Sequence, residues 1–172
     1  MTSKALGRER VLGSLGAAEG KGVVRMEDRF QTEFHDLWSA LTEPGRLARW
    51  LGEIEGDLRL EGAFRAQFFA SGWEGTGTVE ACEPPHRLLV RTTDAEEGEE
   101  HTIEVRLTPD GDATTLVVEE RGMPIDHLAA YGAGIQIHVE DLAAHLGGRN
   151  RIDAGRWEEL LPAYRDLAAN VT

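Results

Sequence analysis

The sequence is poor in positive charge. Its 18 Lys and Arg residues are outnumbered by 31 Asp and Glu residues, which gives a formal net charge of -13 over 172 residues. Nucleic-acid binding draws on clustered Lys and Arg side chains that meet phosphates. The composition therefore argues against DNA or RNA as a partner and predicts an acidic surface that favours solubility.

Cysteine is almost absent, since Cys82 is the single example. One cysteine excludes an internal disulfide framework and fits a reducing compartment. Cys82 stands close to Pro84 and Pro85, where a small strand or core residue is a simpler interpretation than a nucleophile.

Long apolar runs are also missing. No run approaches the roughly 20 residues that a membrane span needs. The first ten residues, MTSKALGRER, contain no apolar segment of the kind found in signal peptides. We therefore expect no membrane partner and a cytoplasmic location.

Motifs of known catalytic and cofactor sites are lacking. There is no Gly-x-Ser-x-Gly elbow, no P-loop and no Gly-x-Gly-x-x-Gly after a strand. His138, Asp141 and His145 are spaced three and four apart on a predicted helix. Zinc enzymes with two helical histidines use i and i+4 together with further ligands, so we interpret this trio as a polar flank. We predict no metal, no cofactor and no catalytic residue.

What is present is a long amphipathic helix near the C-terminal end, predicted from about Ile125 to Leu146. Apolar or small residues recur at steps of three and four and form one stripe that should cover a sheet; they are Leu128, Gly132, Ile135, Val139, Leu142 and Leu146. Gly147 and Gly148 signal its end. Gly132 and Gly134 weaken a helix, so we expect them to leave room where it crosses the sheet.

The rest of the chain has mostly strand periodicity. A hairpin over residues 11–31 precedes two short helices, over residues 34–41 and from Pro44 to Leu51. Alternating apolar residues then predict six strands between residues 54 and 118. The order β-β-α-α-β-β-β-β-β-β-α, with hairpins and no βαβ unit, predicts an α+β fold.

A second amphipathic helix is predicted at the C-terminal end, with Pro162 expected to kink or break it near Leu161. Its apolar residues are too many for an isolated surface helix; they are Trp157, Leu160, Leu161, Tyr164 and Leu167. We expect them to dock on the back of the long helix, around Ile137, in the same chain or in a homodimer.

A set of short motifs resembles one known family. They are Trp38-Ser39-Ala40-Leu41-Thr42-Glu43-Pro44, Leu47-Ala48-Arg49-Trp50, Glu61-Gly62-Ala63-Phe64, residues 75–79, Cys82-Glu83-Pro84-Pro85-His86-Arg87-Leu88 and Thr114-Thr115-Leu116. Together they resemble the Hsp90-ATPase-activator-like branch of the START/SRPBCC (Bet v 1-like) superfamily, over roughly residues 23–146. The resemblance implies a helix-grip fold, in which a curved antiparallel sheet wraps around one long C-terminal helix. It would place a stand-alone helix-grip domain at residues 1–150 and the additional helix at residues 151–172.

The resemblance also implies ligand binding, and the family shares no universal set of catalytic residues. Relatives commonly have Gly-Trp in the long helix where this chain has Gly134-Ile135, so we expect additional cavity volume. The predicted ligand-binding residues border that space, with Gln136 or His138 as the polar contact; they are Trp50, Phe64, Phe68, Trp73, Ile135, Gln136, His138 and Val139.

Three classes of function remain open. The first is non-catalytic binding of a small hydrophobic molecule between the long helix and the sheet. The second is an enzyme of the polyketide cyclase or aromatase type that uses the same cavity, with Arg49, His101, Gln136 and His138 as candidate polar groups. The third is a protein-interaction module linked to a chaperone.

The helix assignment makes a first testable prediction. Leu142 belongs to the apolar stripe that is predicted to be buried on the sheet, so Leu142→Ala should lower the free energy of unfolding by about 2–5 kcal/mol. Urea denaturation measures this change, and an unchanged midpoint would contradict the assignment.

Overall fold

The computed structural model describes residues 10–152 and 155–171, and its centre is one antiparallel sheet. All neighbouring strands are antiparallel, and their spatial order is β1-β2-β8-β7-β6-β5-β4-β3. The strands are β1 Gly13–Ala18, β2 Lys21–Phe30, β3 Gly52–Gly56, β4 Ala63–Phe68, β5 Glu74–Glu83, β6 Arg87–Asp94, β7 Glu100–Asp110 and β8 Ala113–Met123. The second strand of the first hairpin, β2, thus pairs with the last strand, β8, while β1 and β3 form the two edges of the sheet.

In the described residues, four α-helices accompany the sheet. They are α1 Phe34–Thr42, α2 Pro44–Trp50, α3 Leu128–Leu146 and α4 Arg156–Ala168, with a single 3-10 turn, Ile125–His127, leading into α3. The α+β class, the element order and the helix-grip arrangement are confirmed. No helix in the described part of the chain has the length and apolarity needed to cross a membrane.

The apolar stripe of α3 packs into the core against the sheet. Leu128 and Leu142 are almost fully buried, and Ile135 and Val139 are buried as well. Leu146 is only partly buried at the last turn, which corrects its prediction as a core residue. Burial extends around the whole helix between residues 132 and 137. A helix buried on all sides needs partners on both faces.

The second partner of α3 is α4, which lies on the face opposite the sheet. Tyr164 and Leu160 of α4 are fully buried, and the Tyr164 hydroxyl accepts a hydrogen bond from the Gly13 amide of β1 at 3.0 Å. The apolar tail therefore docks within its own chain. The helix α4 continues through Pro162, so the break near Leu161, one of the two predicted outcomes, does not occur. Pro162 and Glu158, whose carbonyl loses its helical partner, are both exposed, so water can satisfy that carbonyl.

The two glycines of α3 do not make room for the sheet as predicted. A Cβ on Gly132 would lie 2.5 Å from Tyr164 Cδ1, so this glycine admits α4 to the back of α3. A Cβ on Gly134 would meet only Trp157 Cζ3, at an ordinary 3.6 Å. The close approach that requires glycine is therefore between two helices.

These distances predict opposite results for two matched substitutions. Gly132→Ala should lower the free energy of unfolding by about 1–3 kcal/mol, because the overpacking against Tyr164 exceeds the gain in helix propensity. Gly134→Ala should be neutral or raise it by up to about 1 kcal/mol, because only the propensity changes. Chemical denaturation of both variants gives the comparison, and equal shifts would refute this account of Gly132.

Candidate functional site

An elongated inner chamber of about 160 Å³ lies between α3, α2 and the concave face of the sheet. Its wall is almost entirely apolar, with Trp50 and Phe64 among the large side chains. Trp50 donates its indole N–H to the Ala40 carbonyl at 3.0 Å, so its polar edge is satisfied by the protein. Three polar residues interrupt the wall: Thr92, Glu120 and His138.

A wider outer chamber of about 330 Å³ continues from the inner one. The two chambers share seven wall residues, which are Phe68, Trp73, Thr92, Ile103, Glu120, Ile135 and His138. The outer chamber adds aromatic side chains from both C-terminal helices, Tyr131 of α3 and Trp157 of α4, and carboxylates from residues 94–97. An apolar interior thus leads to a polar, aromatic mouth.

Seven of the eight predicted ligand-binding residues line the inner chamber. They are Trp50, Phe64, Phe68, Trp73, Ile135, His138 and Val139. Ile135 lies at the junction, because it lines both chambers. Among the other candidate polar groups, Arg49 is exposed and lies in a separate surface depression near His145.

Gln136 is the exception, and its position corrects the prediction that it borders the cavity. Its side chain is fully buried on the back of α3. Gln136 Oε1 accepts hydrogen bonds from the Leu12 amide at 3.0 Å and from the Tyr164 hydroxyl at 2.5 Å. Gln136 Nε2 donates to the Arg10 carbonyl at 2.6 Å and to Glu140 at 2.9 Å. With four partners among the described residues, Gln136 has no capacity left for a ligand.

His138 has the opposite character. Its Nε2 atom is buried and has no hydrogen-bond partner among the described residues. The ring makes an edge contact with Phe68, with centroids 5.1 Å apart. Burial lowers the pKa of His138 to about 4, so the imidazole is neutral near pH 7. A neutral ring nitrogen without a partner can donate to or accept from a bound molecule.

Glu120 lies at the junction of the two chambers and was not predicted. Glu120 Oε2 is 2.6 Å from His101 Nδ1, and both residues are buried. Burial by itself lowers the pKa of His101, but the hydrogen bonds and charges of Glu120 and Glu99 outweigh it, so the net pKa is raised. Glu120 and His101 therefore form a buried, hydrogen-bonded acid–base pair. The sequence contained a signal for this position. Leu116, Val118 and Glu120 are spaced two apart on β8, so their side chains lie on the same face of the sheet, and all three line the inner chamber.

Tyr131 lies over this pair on the α3 side. Its ring contacts His101, with centroids 5.0 Å apart. Burial, followed by the negative charge of Glu120, raises the pKa of Tyr131, so its hydroxyl stays protonated. His101 thus contacts both the Tyr131 ring and the Glu120 carboxyl group, and Tyr131 and Glu120 both line the outer chamber.

The predicted polar flank of α3 spreads in three directions. His138 faces the cavity, Asp141 accepts a hydrogen bond from the Ile152 amide at 2.6 Å, and His145 Nε2 lies 3.3 Å from Arg46 Nε. These three do not form a metal site. A different trio, Glu97, Glu99 and His127, brings one possible ligand atom each within 4.8 Å at the surface.

The single cysteine, Cys82, is a poor nucleophile. Burial raises the pKa of its thiol, which disfavours the nucleophilic thiolate.

The fold and the cavity define the class of protein as a helix-grip, SRPBCC-type domain. The chain belongs to the family of activator of Hsp90 ATPase homolog 1-like proteins, whose model matches residues 31–147. The matched segment contains every wall residue of the inner chamber. It ends before α4, so Trp157 lies outside it.

Solved structures give the same picture. CalU16 from Micromonospora echinospora is 27% identical, with a TM-score of 0.75, and the likeness covers 91% of this chain and 96% of CalU16. DynU16, a protein in the dynemicin biosynthetic locus, is 28% identical, with a TM-score of 0.70 over 77% of this chain and 50% of DynU16. PFC0360w, an HSP90 activator from Plasmodium falciparum, is 19% identical, with a TM-score of 0.52 over 60% of this chain and 74% of that chain, and shares the fold alone. No curated protein matches the sequence.

The burial of His138 predicts a pH effect on stability. The folded-state pKa of about 4 lies below the ordinary 6.5, so the unfolded chain binds more protons between these values. Stability from the neutral ring is fully present above about pH 6.5 and is lost as the pH falls towards 4. Between about pH 7 and pH 4.5, the free energy of unfolding of the wild type should fall by roughly 1–2 kcal/mol more than that of His138→Phe. Urea denaturation of both proteins at both pH values measures this difference, and the variant serves as the control because all other groups titrate in both proteins. An equal fall in the two proteins would contradict the prediction.

Proposed function

We propose that this protein binds a small molecule that has an apolar body and one polar end. The observation that carries the proposal is the continuous pair of chambers, apolar inside and polar at the junction. Ligand sites are typically concave, mostly apolar and equipped with a few polar groups that orient the bound molecule. Here the apolar body would lie between α3 and the sheet, and the polar end would lie near Glu120 and His138.

The unpartnered nitrogen of His138 supports the proposal. A buried polar atom without a hydrogen bond costs about 1–3 kcal/mol of stability relative to a satisfied one. Every polar atom of the Gln136 side chain, two residues earlier on α3, is satisfied by the protein. A ligand that hydrogen-bonds His138 Nε2 would recover that cost as binding free energy.

A second candidate is catalysis in the same cavity, of the polyketide cyclase or aromatase type. The observation that favours it is the buried His101–Glu120 pair, which reaches the cavity beside the neutral His138. An enzyme that closes rings on an enolisable chain needs groups of this kind to move protons. The likeness to DynU16, a protein of a biosynthetic locus, is compatible with this candidate. If catalysis occurs, His138→Phe should abolish turnover of a poly-β-keto substrate and leave its binding within about tenfold.

A chaperone-linked role has less support from the site. The likeness to the Plasmodium falciparum HSP90 activator extends to the fold alone, and the cavity explains the orphaned His138 without a protein partner. Chaperone contact is therefore left outside the proposal.

The binding proposal is tested at Ile135, which separates the chambers. Ile135→Trp places an indole at the junction and should abolish the fluorescence gain of N-phenylnaphthylamine, a neutral apolar probe. Ile135→Leu is the matched control, because it conserves volume and should bind the probe with an unchanged Kd. Circular dichroism and the thermal midpoint show whether both variants fold. Equal probe binding by folded Ile135→Trp and wild type would overturn the proposal.

A further inference from the structure

We infer that the ligand is an organic cation, whose charged amine lies in the outer chamber and whose apolar body lies in the inner one. This inference rests on the proposed function and assigns the chemical class of the ligand. It follows from three observations on the outer chamber: its carboxylates, its aromatic rings and the neutral state of His138.

The first observation is the sign of the charge around the outer chamber. Four carboxylates line it, from Asp94, Glu96, Glu97 and Glu120, and no Lys or Arg is among its wall residues. Among the described residues, the ion pairs formed by Lys and Arg involve none of Asp94, Glu96 and Glu97. Low-dielectric walls focus such a field into the cleft. The mouth therefore attracts a cation and repels an anion.

The carboxylates differ in how they are held. Asp94 Oδ1 accepts hydrogen bonds from the Glu96 amide at 2.8 Å and from the Glu97 amide at 2.9 Å, so the turn that carries them is fixed by its own first residue. Glu120 is hydrogen-bonded to His101, which is only 3% exposed. Glu96 and Glu97 remain exposed at the rim. These two residues supply the charge that a ligand would meet first.

The second observation is the aromatic wall. Phe68, Trp73, Tyr131 and Trp157 reach the outer chamber from β4, the β4–β5 connection, α3 and α4. Aromatic faces attract ammonium groups, and Trp does so most strongly. In the described residues, a cation–π contact joins the Arg151 guanidinium to the Phe69 ring, 4.8 Å from its centroid, and Phe69 does not line the outer chamber. Rings and carboxylates around one space form a recognition site for an alkylammonium group.

The third observation is independent of the charges and concerns His138. Its buried Nε2 lies at the junction of the chambers and has no partner among the described residues. Because the ring is neutral near pH 7, it can accept a hydrogen bond from an ammonium group without repelling it. A cationic amine is the polar end that satisfies His138 and meets Glu120 in the same space.

The test compares three probes that share a naphthalene ring and differ in charge. They are naphthylmethylamine, a cation near pH 7, naphthylmethanol, which is neutral, and naphthoate, an anion. Titration calorimetry in low-salt buffer with EDTA gives their dissociation constants, and EDTA removes any metal at Glu97, Glu99 and His127. We expect the amine to bind about tenfold more tightly than the alcohol, and the naphthoate to bind more weakly than the alcohol.

Two double variants locate the source of the preference. Glu96→Gln with Glu97→Gln removes two charges from the rim and should reduce the preference for the amine over the alcohol to about threefold or less. Glu53→Gln with Glu55→Gln is the matched control, because it removes the same charge from exposed positions of β3 that line neither chamber. The control should keep the wild-type preference.

The possible results separate this inference from the proposed function. If the alcohol binds the wild type and is lost in Ile135→Trp, but the amine binds no more tightly than the alcohol, the cavity binds ligands and the inference of a cation is wrong. An equal loss of preference in both double variants would also overturn it, since net charge alone would then explain the effect. If no probe binds, or if all bind Ile135→Trp as they bind the wild type, the proposed function itself fails.

Discussion

The hydrogen bonds of one buried amide, Gln136, join three parts of the chain at the back of α3. A fully buried amide that lost its partners would be costly. The Arg10 carbonyl and the Leu12 amide belong to the segment before β1, the Tyr164 hydroxyl belongs to α4, and Glu140 belongs to α3 itself. Glu140 also forms an ion pair with Arg156 at 2.7 Å, which holds the first turn of α4. The back of α3 is thereby fixed at one rotation, and its other face is fixed against the sheet.

That rotation determines the cavity. Two residues after Gln136, His138 points into the space between α3 and the sheet, where no described protein group meets its Nε2. The helix thus carries one polar side chain that is fully satisfied by protein and one that is not. We interpret the first as structural and the second as reserved for a ligand. The same docking of α4 brings Trp157 to the outer chamber, so the helix beyond the family-matched segment contributes a wall to the mouth.

Local periodicity made much of this predictable from the sequence. The change from period two to steps of three and four gave the element order, and the apolar stripe gave the buried face of α3. Trp50 and Trp73, which were predicted to border a pocket, line the inner chamber. Gln136 was misplaced, although residues two apart on a helix point in nearly opposite directions, so Gln136 and His138 cannot share a face. The role of Gly132 depended on Tyr164, a contact that no local pattern reveals. Glu120 was not predicted, because the last predicted strand ended at residue 118, two positions before it.

The contact between the Gly13 amide and the Tyr164 hydroxyl spans 151 positions of the chain. Contacts of such separation form late in folding, because the long loop between the two residues must close first. The hairpin of β1 and β2 can pair early, and β8 joins β2 as the sheet is completed. The groove for α4 on α3, with Gln136 at its centre, stays hydrated until α4 emerges. The side of α3 that faces the sheet can therefore pack before α4 covers the opposite side.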